Sequence, residues 1–194
     1  MVPTAKNPVL PVLHWVQETL DAYECVITKL DVREFGHRAV PADVKAKVLK
    51  AGRSSPTGLN TQHWRFILVQ EPANITKLAR DSTSGKWVEK ANFAIIVLTN
   101  PKYGFHGIDA GRATQNMQLA AWNFGVVSGI YTGVNTEALR RDFAIPAELN
   151  PTIVIGFGYP TRKITGKKKN RLPLSQVAYA ERYGNSVDLK KLSG

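Results

Sequence analysis

Apolar residues along the chain switch between helical and strand spacing, and the elements follow from where each spacing holds. Between Pro11 and Val26, Leu13, Val16, Leu20 and Tyr23 recur at intervals of three or four, which predicts an amphipathic helix over about residues 9–27. Pro41 opens a second helix, Ala42 to Ala51, with Val44, Val48 and Leu49 turned to the core. Trp64 to Val69 is rich in β-formers and ends at Gln70-Glu71-Pro72, a strand signature. Asn74 is placed to cap a short helix from Ile75 to Arg80. Phe93 to Leu98 has no polar position, so it predicts a central strand covered on both faces. From Ile108 to Phe124, small and apolar residues occupy more than one helical face. That predicts the longest helix, stopped by Gly125 and placed mid-domain or at a subunit interface. Val126 to Tyr131 is a short apolar piece, Glu137 to Phe143 a helix and Pro151 to Tyr159 a strand.

Helices and strands are interspersed without the clean alternation of a doubly wound sheet, which argues for an α+β fold. A length of 194 residues suits a single domain able to bury a sizeable core. Its core is expected over about residues 28–180, followed by a polar tail, 181–194. The single Cys25 excludes an intramolecular disulfide framework and a cysteine-rich zinc site. The N-terminal stretch lacks the apolar core of a secretion signal, and the longest apolar runs are too short to span a bilayer, so a cytoplasmic protein without membrane attachment is expected.

Charge adds a partner class. Twenty-six Lys and Arg against 15 Asp and Glu give a formal charge of +11, which favours anionic ligands. Arg162 to Arg171 is the densest basic run and contains no acid. Nucleic acid is one possible anion, but the aromatic residues fall in apolar segments and do not interleave with the basic ones as a stacking platform requires. No nucleic-acid partner is therefore expected.

The chemistry concentrates in Pro56-Thr57-Gly58-Leu59-Asn60-Thr61-Gln62-His63-Trp64, a constrained polar loop between a helix and a strand. Known nucleotide and hydrolase signatures are missing. Gly156-Phe157-Gly158-Tyr159-Pro160 lacks the third glycine of a dinucleotide turn, and no Walker loop, nucleophile elbow or zinc-protease helix is present. The four histidines are far apart in sequence, and no metal site is expected.

Three separated segments resemble, in order, signature segments of the nitroreductase family of flavin enzymes: Lys29-Leu30-Asp31-Val32-Arg33-Glu34-Phe35, the loop Pro56 to Trp64, and Lys169-Asn170-Arg171-Leu172-Pro173-Leu174. Asp109-Ala110-Gly111 with Gln115 to Ala121 resembles the family's central helix, and Gly156 to Pro160 its last core strand. The resemblance implies a mixed, mainly antiparallel sheet flanked by helices around a long central helix. It also implies a homodimer with FMN at the subunit interface. NADH or NADPH would reduce the flavin, and a nitroaromatic, quinone or similar small-molecule acceptor would reoxidise it in a ping-pong cycle. By the same resemblance Lys29, Asp31, Arg33, Lys169 and Arg171 belong to the phosphate region, and Pro56, Thr57, Gly58 and Asn60 line the flavin. Lys86 is placed near its pyrimidine edge, and Tyr131, Thr132 and Gly133 near its N5. No protein nucleophile, acid or base is implied, because the cofactor carries the chemistry.

The sequence departs from the family pattern at Leu30, at Asp31, where many members have Ser, and at His63, where Pro usually precedes the Trp. An aspartate beside a phosphate would repel it, so Asp31 is expected to orient Arg33 or cap a backbone amide. Asp-Val-Arg also resembles relatives that cleave reduced FMN to dimethylbenzimidazole, although Asn60 argues against that branch. A flavin-binding storage or sensor module without turnover is a third reading.

Overall fold

The computed structural model describes residues 21–164 and 171–188. Four antiparallel strands form one sheet in the order β1-β2-β4-β3: β1 Arg65–Val69, β2 Phe93–Thr99, β3 Val127–Tyr131 and β4 Asn150–Gly158. Five α-helices accompany it: α1 Ala22–Thr28, α2 Ala42–Arg53, α3 Pro72–Arg80, α4 His106–Asn123 and α5 Thr136–Phe143. This is the expected α+β arrangement, with antiparallel pairing and a long helix against the sheet.

The fully apolar β2 is central because both of its faces are used. Phe93, Ile95 and Val97 join Val44 and Val48 of α2 and Ala113, Met117 and Ala121 of α4 on one side. Ala94, Ile96 and Leu98 pack with Ile75 and Leu78 of α3, Leu139 of α5 and Val88 on the other. Each fully buried Ile or Phe contributes about 1.5–3 kcal/mol by removal from water. Phe93 and Phe157 stack across β2 and β4 with ring centroids 4.6 Å apart. Gly129 and Gly156 leave a trough on the α3 side that the Trp87 indole fills, since a Cβ at Gly156 would lie 2.8 Å from its ring.

Several boundaries differ from the sequence expectations for local reasons. α1 begins at Ala22, where Asp21 has extended dihedrals and its carboxylate accepts the Glu24 N–H at 2.7 Å; residues 9–20 of the expected helix lie outside the described residues. α3 begins at Pro72, because proline suits the first helical position and gives up no hydrogen bond there, so Asn74 sits inside the helix rather than capping it. α2 continues two residues past Ala51, to Arg53.

Candidate functional site

The loop after α2 is held by a buried carboxylate. Asp109, in the first turn of α4 and only 1% exposed, accepts the Gly58 N–H at 3.0 Å on Oδ2. The same oxygen lies 3.1 Å from His63 Nε2. His63 Nδ1 accepts the Asn100 backbone N–H at 3.2 Å, so the ring proton must sit on Nε2 and be donated to Asp109. Arg112 approaches the other carboxylate oxygen at 3.7 Å, and the helix N-terminus adds its own favourable field. His63 is the loop's departure from the family pattern. It serves as a strut between α4 and the end of β2, packed against Tyr103 at 4.9 Å between ring centroids.

That anchorage holds a strained backbone. Leu59, Asn60 and Gln62 have φ of 53°, 52° and 47°, left-handed values that cost on the order of 1–2 kcal/mol for an ordinary side chain. Gly58 itself must be small, since a Cβ there would meet the Phe105 ring at 2.7 Å. Thr57 Oγ1 accepts the Gln62 N–H at 2.9 Å, closing the loop on itself, while Pro56 and Asn60 remain exposed. Asn116 of α4 fixes the approach to the loop by donating to Ser55 Oγ at 2.8 Å.

A second group of candidate residues gathers along β3. Asp31 bridges to Ser128, and the Val32 N–H donates to the Ser128 carbonyl at 2.9 Å, so the 29–33 segment runs beside β3. Lys29 Nζ donates to Asp31 at 2.8 Å, and Gln118 of α4 donates to both Asp31 and Ser128 at 3.0 Å. Asp31 thus bonds Lys29 and Gln118, whereas Arg33 lies over the Trp87 ring, 5.5 Å from its centroid. From the other side, the Thr83 N–H donates to the Gly133 carbonyl at 2.8 Å, and Gly85 packs on the Tyr131 ring. The 83–85 turn, which leads into exposed Lys86, thus lies against Tyr131 and Gly133. Burial and the charge of Asp81 raise the Tyr131 phenol well above its ordinary pKa, and its hydroxyl donates to the Leu78 carbonyl at 3.2 Å. Tyr131 is therefore a neutral structural group.

Arg33 and Lys86 have no ion pair among the described residues, and the buried Trp87 indole N–H has no hydrogen-bond partner there. Lys169 lies outside the described residues, and Arg171 is exposed at the start of the last segment. The model of the Nitroreductase family matches this chain over residues 29–98 and 84–159, a span that takes in both groups.

The chain belongs to the nitroreductase family. A Methanothermobacter thermautotrophicus protein provisionally named NADH dehydrogenase/NAD(P)H nitroreductase is 32% identical over 150 residues, covering 73% of this chain and 78% of that protein. A pig protein named iodotyrosine deiodinase 1 is 31% identical over 204 residues, covering 86% of this chain and 71% of its own length. Among solved structures, a provisionally named NADH dehydrogenase/NAD(P)H nitroreductase of Bacteroides thetaiotaomicron superposes with a TM-score of 0.76 at 25% identity, over 83% of this chain and 97% of that one. Membership makes the protein an oxidoreductase of the nitroreductase family.

The two residue groups sit at different levels of α4. Asp109, which holds the loop, and Gln118, which touches Asp31, are nine residues apart on α4, about 14 Å along its axis. A concave volume of about 780 Å3 lies between the 34–37 and 89–92 segments and α3, and neither group of described site residues lines it except through the chain following Arg33. Residues that sequence reasoning passed over, Asp109, Asn100, Trp87 and Gln118, act by fixing the candidate residues rather than by reaching a ligand.

Proposed function

We propose that this member of the nitroreductase family is an FMN-dependent NAD(P)H oxidoreductase working as a homodimer with the flavin at the subunit interface. It would pass hydride from NADH or NADPH to a nitroaromatic, quinone or similar small acceptor. One observation carries the reading. Lys29, Asp31, Arg33, Lys86 and the Tyr131–Gly133 segment converge on β3, while Pro56, Thr57, Gly58 and Asn60 sit about a dozen ångströms away along α4. A flavin needing both sets would take the loop from a second copy.

The donor set fits that group. Arg33 offers a fork without a competing carboxylate for the phosphate, Lys29 supplies a second cation, and Lys169 and Arg171 are assigned to the same phosphate. Asp31 keeps its negative charge turned to Lys29 and Gln118. Asn60, held in the left-handed conformation by its anchored neighbours, presents an amide that can both donate and accept. Thr132 and Gly133 offer backbone groups beside the turn that leads into Lys86. FMN bound here would supply the hydride chemistry, and the chain's residues would orient it and exclude water.

A face suited to a second copy lies beside the loop. Leu59 and Ile108, 90% and 67% exposed, flank the Gly58–Asp109 bond, and a Cβ at Gly107 or Gly111 would meet nothing within 4 Å. Exposed apolar side chains beside small residues allow close approach of a partner's helix. Purified protein should carry a yellow flavin, lose its visible absorbance on anaerobic addition of NADH or NADPH, and recover it with a quinone. A bound flavin that stays oxidised with both donors would defeat the reductase assignment.

A further inference from the structure

Beyond the flavin site, the fold builds a separate basic hollow. Three segments distant in sequence close around a cavity of about 530 Å3: the turn after Phe35, the end of α4, and the chain leaving β4. They are locked together by the Gly36 N–H donating to the Tyr159 carbonyl at 2.7 Å and by the Phe35–Pro160 bridge. His37, Arg38, Arg162 and Lys163 line it with Phe124 and Tyr159, and no carboxylate does among the described residues. Arg38 rests on the Tyr159 ring at 4.2 Å, so its guanidinium is held in place by its face and its N–H rim is left for a ligand. None of the three full cations is ion-paired among the described residues.

The end of α4 borders this hollow, and its carbonyls would disfavour an anion if they were unpaired. Two of them are paired: the Gly125 N–H donates to the Trp122 carbonyl at 2.9 Å and the Val126 N–H to that of Ala121 at 3.0 Å. The hollow also answers the objection drawn from sequence, that aromatic and basic residues do not interleave. Folding places Phe124 among cations that are all far from it along the chain, and brings Arg38 to Tyr159, which already lies close to Arg162 and Lys163 in sequence.

We infer that this hollow is an anion site for a nucleoside diphosphate, with the phosphates on Arg38, Arg162 and Lys163 and the base against the aromatic wall. Two guanidinium groups and an ammonium match a pyrophosphate better than a single phosphate, and the volume falls in the range of small-ligand sites. None of the described residues among the proposed flavin contacts lines it.

Titration calorimetry of the protein as purified, at low salt, tests the inference with ADP, pyrophosphate and adenosine as probes. ADP should bind once per chain, adenosine far more weakly, and Arg38→Ala and Arg162→Ala should each weaken ADP about tenfold or more. Flavin content and melting temperature should stay unchanged in Arg38→Ala, which separates this site from the flavin site and from misfolding. Equal ADP affinity in wild type and both variants would overturn the proposal. So would a short single-stranded oligonucleotide that displaces ADP at lower strand concentration, because the surface would then be a nucleic-acid site.

Discussion

The two residue groups of the proposed cofactor site are built on opposite principles. In the 56–63 loop the anchoring groups are paired inside the protein: the Gly58 amide and both His63 nitrogens are satisfied, and Asp109 is buried among its donors. Along β3, Arg33 and Lys86 stand without ion pairs and Trp87 Nε1 without a partner among the described residues. The first group fixes shape in advance, and the second leaves charge available. Changes in the loop's anchors should therefore act through stability, and changes at the unpaired cations of the β3 group through ligand binding with little effect on the fold.

Removing the anchor should have the largest effect. Asp109→Ala leaves the Gly58 amide and the His63 ring N–H without their acceptor in a buried place, and a loss of about 3–5 kcal/mol in denaturant unfolding is expected. An unfolding midpoint close to wild type would break the contrast between the two regions. His63→Ala should cost less, about 1–3 kcal/mol, because the Asn100 N–H and one oxygen of Asp109 lose a partner while the Gly58 bond survives. The same melts check it, and a cost equal to that of Asp109→Ala would show that the histidine, not the carboxylate, is the anchor. Arg33→Ala should change stability least, within about 0.5 kcal/mol, since it removes only an exposed contact with Trp87. Flavin retention should nonetheless fall about thirtyfold, the effect of losing about 2 kcal/mol of charge-assisted hydrogen bonding. Ultrafiltration of free from bound flavin measures it, and undiminished retention would remove Arg33 from the phosphate contacts.

What could be read from sequence followed the range of the interactions. The all-apolar Phe93 to Leu98 identified the central strand because burial on both faces leaves a local mark, and the small-residue run of α4 did so for the long helix. The start of α3 was misplaced because Asn74 is a good cap in isolation, while Pro72 had already set the helix two residues earlier. His63 could not be understood locally, for its partners Asp109 and Asn100 are 46 and 37 residues away. The available signal was a polar residue beside Trp64 at the mouth of an apolar strand, paired in principle with an acid in a helix's first turn. Asp31 was recognised as unsuited to a phosphate, but its partners, Lys29 two residues before it and Gln118 from α4, depended on how the segment lies along β3.

The central claim is that one flavin site takes Arg33 from one protomer and the 56–60 loop from the other, and mixed dimers test it most directly. Arg33→Ala and Asn60→Ala chains, differently tagged and each retaining little flavin as homodimers, would be co-expressed and the mixed species isolated. If the site is shared, one of its two copies in the mixed dimer is wholly wild type, and flavin content should return to about half of the wild-type value with wild-type affinity. A mixed dimer as empty as its parents would mean that both defects fall on residues of a single protomer's site, and the shared-site account would be wrong.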